Sequence, residues 1–281
     1  KVALNYKLTP YAAIYTSFGL GFDTPTFNEL DNYPFSSDEY RGALNPDLNA
    51  QNSLNFEIGT KANLLNSGSK WFKNNYIELV FYRLQIEDEI VPFIVSNTAY
   101  FRNAAKSNRN GIEFGLTTNI VGGLKWKTAY NFSDFKYDEY NAIIYDINGN
   151  IVTKNYSGNI APSVPKHYLS SDLIYNYDFT RSVSAFAKFN YTYVDGMYTD
   201  DENSARTGAY ILLNSGLGME VNIANFSIIA NAGLGNLTDK KYSAYLNINA
   251  DPDKTVDKRA FYEAGAPRNF FAGINLGYTF R

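Results

Sequence analysis

The sequence predicts an all-β fold, an antiparallel up-and-down transmembrane β-barrel to which this chain contributes about 10–12 strands. Three observations predict it. The 281 residues include 24 Tyr and 20 Phe, yet mean hydropathy is −0.31 and no run reaches the roughly 20 apolar residues of a membrane helix. Apolar and polar residues alternate with period two over tracts of about ten to fourteen residues, where soluble strands average about five or six. Short connections also alternate with long ones along the chain.

The opening pair of tracts is Val2, Leu4 and Tyr6, then Ala12, Ile14 and Phe18, joined at Leu8-Thr9-Pro10. After a long connection over 21–51, Leu54, Phe56, Ile58 and Leu64 oppose Asn55, Glu57, Lys61 and Asn63. A short turn at Asn66-Ser67-Gly68-Ser69 leads to 78–86, where apolar residues occupy both faces and the pattern is ambiguous. A long connection is expected over 87–103, and the next short one is Val121-Gly122-Gly123. Leu124, Trp126, Tyr130 and Phe132 then oppose Lys125, Lys127 and Asn131 before a long connection over 136–165. Leu169, Leu173, Tyr175 and Tyr177 oppose Ser170, Asp172 and Asn176, and Asp178-Phe179-Thr180-Arg181 turns the chain. Val183, Ala185, Ala187, Phe189, Tyr191 and Tyr193 form the next apolar face, followed by a long connection over 195–206. Ala209, Ile211, Leu213, Leu217 and Met219 pass through Asn222-Ile223-Ala224 into Phe226, Ile228, Ala230, Ala232 and Leu234. A last long connection covers 238–267, and Phe270, Ala272, Ile274, Leu276, Tyr278 and Phe280 end the chain. The opposing faces carry Lys, Glu, Asp and Asn, which line water, while the apolar faces meet lipid. The tracts number about eleven, whereas single-chain bacterial barrels have even strand counts.

The chain has no cysteine, so disulfide and thiolate chemistry are excluded. Its 25 basic and 28 acidic residues give a net charge of −3 with no basic block, which excludes a nucleic-acid partner. The N-terminus from Lys1 has no apolar signal region and reads as mid-strand, so a mature form, a fragment or a trimmed chain is expected.

Three stretches resemble the C-terminal half of TonB-dependent outer-membrane receptors. The first is Gly19-Leu-Gly-Phe-Asp-Thr-Pro-Thr-Phe-Asn-Glu-Leu30 followed by Leu44-Asn-Pro-Asp-Leu-Asn-Ala-Gln-Asn-Ser-Leu-Asn-Phe-Glu-Ile-Gly-Thr-Lys61, with Gln51 where the family usually has Glu. The second is Asn103-Ala-Ala-Lys-Ser-Asn-Arg-Asn-Gly-Ile-Glu-Phe114. The third joins Gly235-Asn-Leu-Thr-Asp-Lys-Lys-Tyr242 to Gly265-Ala-Pro-Arg-Asn-Phe-Phe-Ala-Gly-Ile-Asn-Leu-Gly-Tyr-Thr-Phe280, and departs from the family in ending on Arg281. The resemblance implies that residues 1–281 are the C-terminal portion of a barrel of about 22 strands, without the plug domain. It implies a receptor of the bacterial outer membrane that takes up a ferric siderophore or similar metal chelate. The energy-transducing TonB complex would act through the missing plug, with lipopolysaccharide and lipid around the barrel. A stand-alone pore or adhesive barrel and a TonB-dependent glycan importer stay open as alternatives.

One histidine and no cysteine give no catalytic triad, so an enzyme is not expected, and no cofactor or metal site is implied. His167 reads as a girdle residue or, alternatively, a haem-iron ligand. Asp146-Ile-Asn-Gly-Asn150, between Ile143-Ile144-Tyr145 and Ile151-Val152-Thr153, reads as a hairpin turn or a calcium loop lacking its terminal Glu. Asp200-Asp201-Glu202 and Asp251-Pro252-Asp253 are expected at solvated loop tips, with cation bridging of lipopolysaccharide as the alternative. Aromatic residues beside arginine suit bulky anionic chelates through stacking and charge. Two such groupings are the substrate-site candidates: Tyr33, Phe35, Tyr40 and Arg41, and Tyr100, Phe101 and Arg102. Arg268 is expected to be structural.

Overall fold

The period-two tracts pair with their chain neighbours, because two-residue turns leave consecutive strands side by side. In the computed structural model, which describes residues 1–31, 44–64, 71–95, 98–145, 151–249 and 262–280, the elements run in this order. They are β1 (Val2–Thr9), β2 (Ala12–Asp23), α1 (Phe27–Leu30), β3 (Gln51–Leu64), β4 (Phe72–Val95), β5 (Thr98–Ile120), β6 (Leu124–Tyr145) and β7 (Ile151–Asn155). They continue with β8 (His167–Thr180), β9 (Val183–Val194), β10 (Tyr210–Ile223), β11 (Phe226–Gly235), β12 (Ser243–Leu246), β13 (Tyr262–Ala264) and β14 (Asn269–Tyr278). Among the described residues twelve strands form one antiparallel sheet in the order β1-β2-β3-β4-β5-β6-β8-β9-β10-β11-β14, with β7 beside β6. Eleven strands therefore follow the meander, the count that the tracts predict. Among the described residues β1 and β14 each have one neighbour, so the sheet is open. β12 and β13 make a separate small hairpin.

The register sorts side chains into two faces. One row joins Ile58, Phe81, Ile112, Phe132 and His167 across five strands, and another joins Leu124, Tyr175, Ala187, Leu217, Ala232 and Ala272. This outer face is the apolar one. The inner face carries rows such as Lys61 and Glu78, Glu113 and Asn131, and Lys127, Asp172, Asn190 and Asn214. Its polar groups are bonded along the wall. Asn190 donates to Asp172 at 2.9 Å, Asn214 donates to Asn190 at 3.0 Å, and Lys188 lies 3.4 Å from Asp172. Within 78–86 the register resolves the ambiguity. Leu79 and Phe81 join the outer rows, and buried Val80 sits inside between Gly59 and Glu113.

Four aromatic rings on the inner face each lie over the glycine directly opposite on the next strand. The pairs are Tyr15 over Gly59, Tyr82 over Gly111, Phe186 over Gly218 and Phe271 over Gly233. A side chain at the glycine would occupy the space of the ring, so each pair locks register as well as covering backbone. At the short-turn end, Gly122 and Gly123 take φ of 88° and 86°, and a Cβ at Gly123 would meet the Asn176 carbonyl oxygen at 2.6 Å.

Two expected long connections are corrected. Most of 87–103 and of 136–145 is strand, since β4, β5 and β6 run for 24, 23 and 22 residues. At about 3.3 Å per residue such strands reach roughly 75 Å, far beyond a hydrocarbon core of about 30 Å. Beyond the core no face needs to be lipid-compatible, so alternation fades there while pairing continues. The Ile144–Val152 and Tyr145–Ile151 pairs form the expected hairpin arms, and the turn at 146–150 lies outside the described residues.

Candidate functional site

The motif stretches meet at the long-loop end. In α1, the Glu29 carboxylate accepts from the Thr26 amide at 2.6 Å, which starts the helix. Leu30 accepts from the Asn45 amide at 2.7 Å, and Asn45 Nδ2 donates to the Phe101 carbonyl at 3.3 Å. Asn49 and Asn103 bond reciprocally, at 2.7 Å and 3.0 Å, and Asn103 also reaches the Asp88 carbonyl at 2.6 Å. Gln51 stays an acceptor, taking the Ile90 amide at 3.2 Å. Farther along, Asn236 holds the Lys240 and Ala266 carbonyls at 2.9 Å and 3.0 Å, and Asp239 accepts the Arg268 amide at 2.8 Å. These residues hold loop backbone in place.

Three register shifts then build an inner-face cluster, one of them between Glu89 and Ile90, where Ala104 is the extra residue on β5. Between Ile86 and Glu89 the register with β5 shifts by one residue, with Asp88 at φ 56°, and Glu89 comes opposite Ala105. Between β5 and β6, Asp138 is the extra residue, so Tyr137 opposite Ser107 and Tyr140 opposite Ala105 share one face. The Asp138 carboxylate turns out to Asn108, with which it is hydrogen-bonded. Val91, Ala105, Tyr137, Tyr140, Ala142 and Ala161 form a buried core against which Phe135 and Tyr156 lie. The Tyr137 and Tyr140 rings are 4.7 Å apart, and Tyr156 meets Tyr140 edge-on at 5.5 Å.

Asp201 descends into this cluster from the 195–209 loop. Its Oδ1 accepts from the Tyr137 hydroxyl at 2.7 Å, and its Oδ2 accepts from the Tyr140 hydroxyl at 3.2 Å and Asn249 Nδ2 at 2.8 Å. Its amide donates to Asn249 Oδ1 at 3.0 Å, and its carbonyl accepts Asn159 Nδ2 at 2.8 Å. Asp200 beside it accepts from the Ser204 amide and hydroxyl and the Ala205 amide at 2.8, 3.0 and 3.1 Å. Both aspartates are buried, which overturns the expectation of solvated loop tips for 200–201. The reason is that each carboxylate is saturated by donors. Glu202 pairs with Lys154 at 3.2 Å.

Burial, reinforced by Asp201, pushes the Tyr137 and Tyr140 hydroxyls far above the ordinary phenol range, so both stay protonated donors. Tyr156 is pushed up to about 12, first by burial and then by Glu202, Asp201 and Asp200. Burial raises the Glu89 carboxyl, the Ser107 hydroxyl beside it acts the other way, and Asp201 raises it further. Oε2 of Glu89 and Oγ of Ser107 are enclosed without hydrogen-bond geometry to any described residue.

Of the predicted substrate residues, Tyr33, Phe35, Tyr40 and Arg41 lie outside the described residues, as does Asp251-Pro252-Asp253. Arg102 comes to the inner-face cluster beside Tyr140, donating to the Asn141 carbonyl at 3.0 Å, and burial lowers its guanidinium below the ordinary value. Tyr100 is half-buried on β5 opposite Phe93. His167 lies on the outer face with Nδ1 2.8 Å from the Tyr130 hydroxyl and its ring 5.3 Å from Phe132, as a girdle residue would. Among the described residues no three metal-ligating side chains cluster. Sequence reasoning missed Glu89, Tyr137, Tyr140 and Asp201. On a regular strand Tyr137 and Tyr140, three apart, fall on opposite faces, and only the bulge unites them.

The chain is similar to the ferric yersiniabactin uptake receptor FyuA of Yersinia pestis, with 21% identity and a TM-score of 0.67 over 99% of this chain and 37% of that one. It is similar to the siderophore receptor PiuA of Acinetobacter baumannii at 19% identity and a TM-score of 0.70, over 98% and 35% of the two chains. The copper transporter OprC matches at 14% identity and a TM-score of 0.68, over 99% and 39%. The chain thus spans less than two-fifths of these relatives, and at these identities the likeness shows the fold. The family model described as TonB dependent receptor-like, beta-barrel matches residues 1–249, and the chain belongs to that family of receptor barrels.

Proposed function

We propose that residues 1–281 are the C-terminal barrel portion of a TonB-dependent receptor of the bacterial outer membrane, importing a ferric siderophore or similar metal chelate. The observation that carries this reading is the open eleven-strand meander with an apolar outer face, a hydrogen-bonded polar inner wall and long loops gathered at one end. Pairing β1 and β14 with further strands removes the unpaired edges that lipid does not tolerate. The cargo class is supported by the names of the similar chains, a ferric yersiniabactin receptor and a siderophore receptor. In this reading the TonB complex acts on a plug carried by the rest of the receptor, and lipopolysaccharide and lipid meet the outer rows.

Arg102 and Tyr100, with Tyr33, Phe35, Tyr40 and Arg41, supply charge and ring faces to the anionic chelate. The test is fluorescence titration of the full-length receptor with a panel of ferric catecholate, hydroxamate and phenolate chelates. One class is expected to bind at micromolar or tighter, and Arg102→Ala is expected to weaken it about tenfold, the worth of one charge-assisted hydrogen bond. Failure of every ferric chelate, with an oligosaccharide quenching instead, would replace the reading with glycan import.

A further inference from the structure

We propose that Asp201 is the positioning residue of the long-loop end: one carboxylate, with its own backbone, fastens the 195–209 loop and the segment after β12 to the inner face of β6 and to the 156–166 loop, which β6 already holds through backbone bonds at Tyr156, Gly158 and Ala161. The tether to β6 is the pair of bonds from Tyr137 and Tyr140. The tether to the 156–166 loop is Asn159 on the Asp201 carbonyl, and that to the segment after β12 is the reciprocal pair with Asn249. Asp201 itself belongs to the 195–209 loop. Bonds from neutral donors to a buried carboxylate are among the stronger kind, so this hub outweighs an equal number of neutral contacts.

Neighbouring residues do less. Asp200 bonds only within its own loop, to Thr199, Ser204 and Ala205. Asn203 links its loop to Ile160, at 2.8 Å and 2.7 Å, but reaches neither β6 nor Asn249. Among the described residues Asp201 alone joins all four pieces. Its location also follows from the bulge at Asp138, since without the extra residue Tyr140 would face outward and the carboxylate would lose one of its two phenols.

Glu89 gives the hub a second property. It shares the inner face with Tyr137, and its Oε2 is enclosed without a partner. The charged groups facing it are Asp201 from the loop and, across Tyr140, Arg102 from β5, while Ser107, Tyr137 and Tyr140 are neutral. Asp200 and Glu202 lie on the far side by Tyr156, and Lys154 is engaged with Glu202. An ionised Glu89 would therefore repel Asp201 in a place where water cannot screen it. A carboxyl raised on folding favours the folded cluster in its neutral form. That contribution is whole below the ordinary Glu value of about 4.3 and is lost as pH rises through the raised value.

Hydrogen exchange on the full-length receptor in lipid nanodiscs, corrected for intrinsic base catalysis, tests this. In Asp201→Asn the amides of 198–203 and 246–249 are expected to exchange together at least about tenfold faster, equivalent to about 1.4 kcal/mol, with β8, β9 and the β6-bonded amides of Tyr156, Gly158 and Ala161 unchanged. The double variant Tyr137→Phe, Tyr140→Phe keeps the rings and should give the same two-segment pattern, and it serves if Asp201→Asn misfolds. Acceleration confined to 198–203, or none, overturns the hub. In the unsubstituted protein the two segments should loosen as pH is raised from the ordinary Glu value of about 4.3 through the raised Glu89 value, and Glu89→Gln should abolish that trend. A trend identical in both overturns the role of Glu89.

Discussion

Gly59 and Gly233 are both covered by a ring from the opposite strand, but they differ in what a methyl group would meet. At Gly59 the nearest atoms belong to the Tyr15 ring, at 2.7 Å, and a ring can swing into the lumen. At Gly233 a Cβ would sit 2.6 Å from the Ser215 carbonyl oxygen, and backbone held in two ladders cannot move. Gly233→Ala is therefore expected to destabilise by about 1–3 kcal/mol, with Gly59→Ala costing less. Urea unfolding in detergent measures both, and equal costs would show that the ring, not the backbone, sets the limit. A second residue-scale effect is protonic. Because folding raises the Glu89 carboxyl, its contribution to stability falls as pH climbs from the acid side, and Glu89→Gln is expected to be the more stable protein at neutral pH. A Gln variant that melts earlier at pH 7.5 would mean that the ionised carboxylate is used.

Strands β4, β5 and β6 each do two jobs, spanning first and then rising as a platform for loops, and the bulges mark the change. Deleting Asp138 is expected to keep β5 and β6 paired while turning Tyr140 to the opposite face, because a one-residue slip inverts every side chain beyond it. Loop 195–209 would then lose a phenol and become accessible to protease, cut after Arg206 at the edge of the loop. Unchanged protease resistance would show that the bulge is incidental. This is also where the sequence stopped being legible. The spanning halves were readable, since lipid on one side and water on the other force period two through Leu169–Tyr177 or Phe226–Leu234. The platforms were not, because with no lipid to face, Glu87–Asp88–Glu89 and Tyr137–Asp138–Glu139–Tyr140 carry no period that separates strand from loop. The motif asparagines Asn45, Asn103 and Asn236 were legible as a resemblance, but their work as clamps on carbonyl groups emerged from the fold.

At the scale of the whole molecule, the sheet divides space into an apolar outside and a polar inside. The chain has no native cysteine, so single labels report each side cleanly. A nitroxide at Leu217 is expected to collide with oxygen dissolved in lipid, and one at Lys188 with a water-soluble nickel chelate; the reverse pattern would invert the faces. The clustered motifs, the eleven-strand meander and the edges of β1 and β14, each with one neighbour among the described residues, support the proposal that the chain is one part of a larger receptor barrel. That barrel is proposed to work as an energised importer, and transport is its most direct test. Cells depleted of iron would be given ferric chelate labelled with radioactive iron, with and without the gene for the full-length receptor, and with and without a proton uncoupler. The account predicts accumulation that requires both the receptor and the proton gradient. Accumulation that survives the uncoupler, or that is unchanged without the receptor, would contradict it.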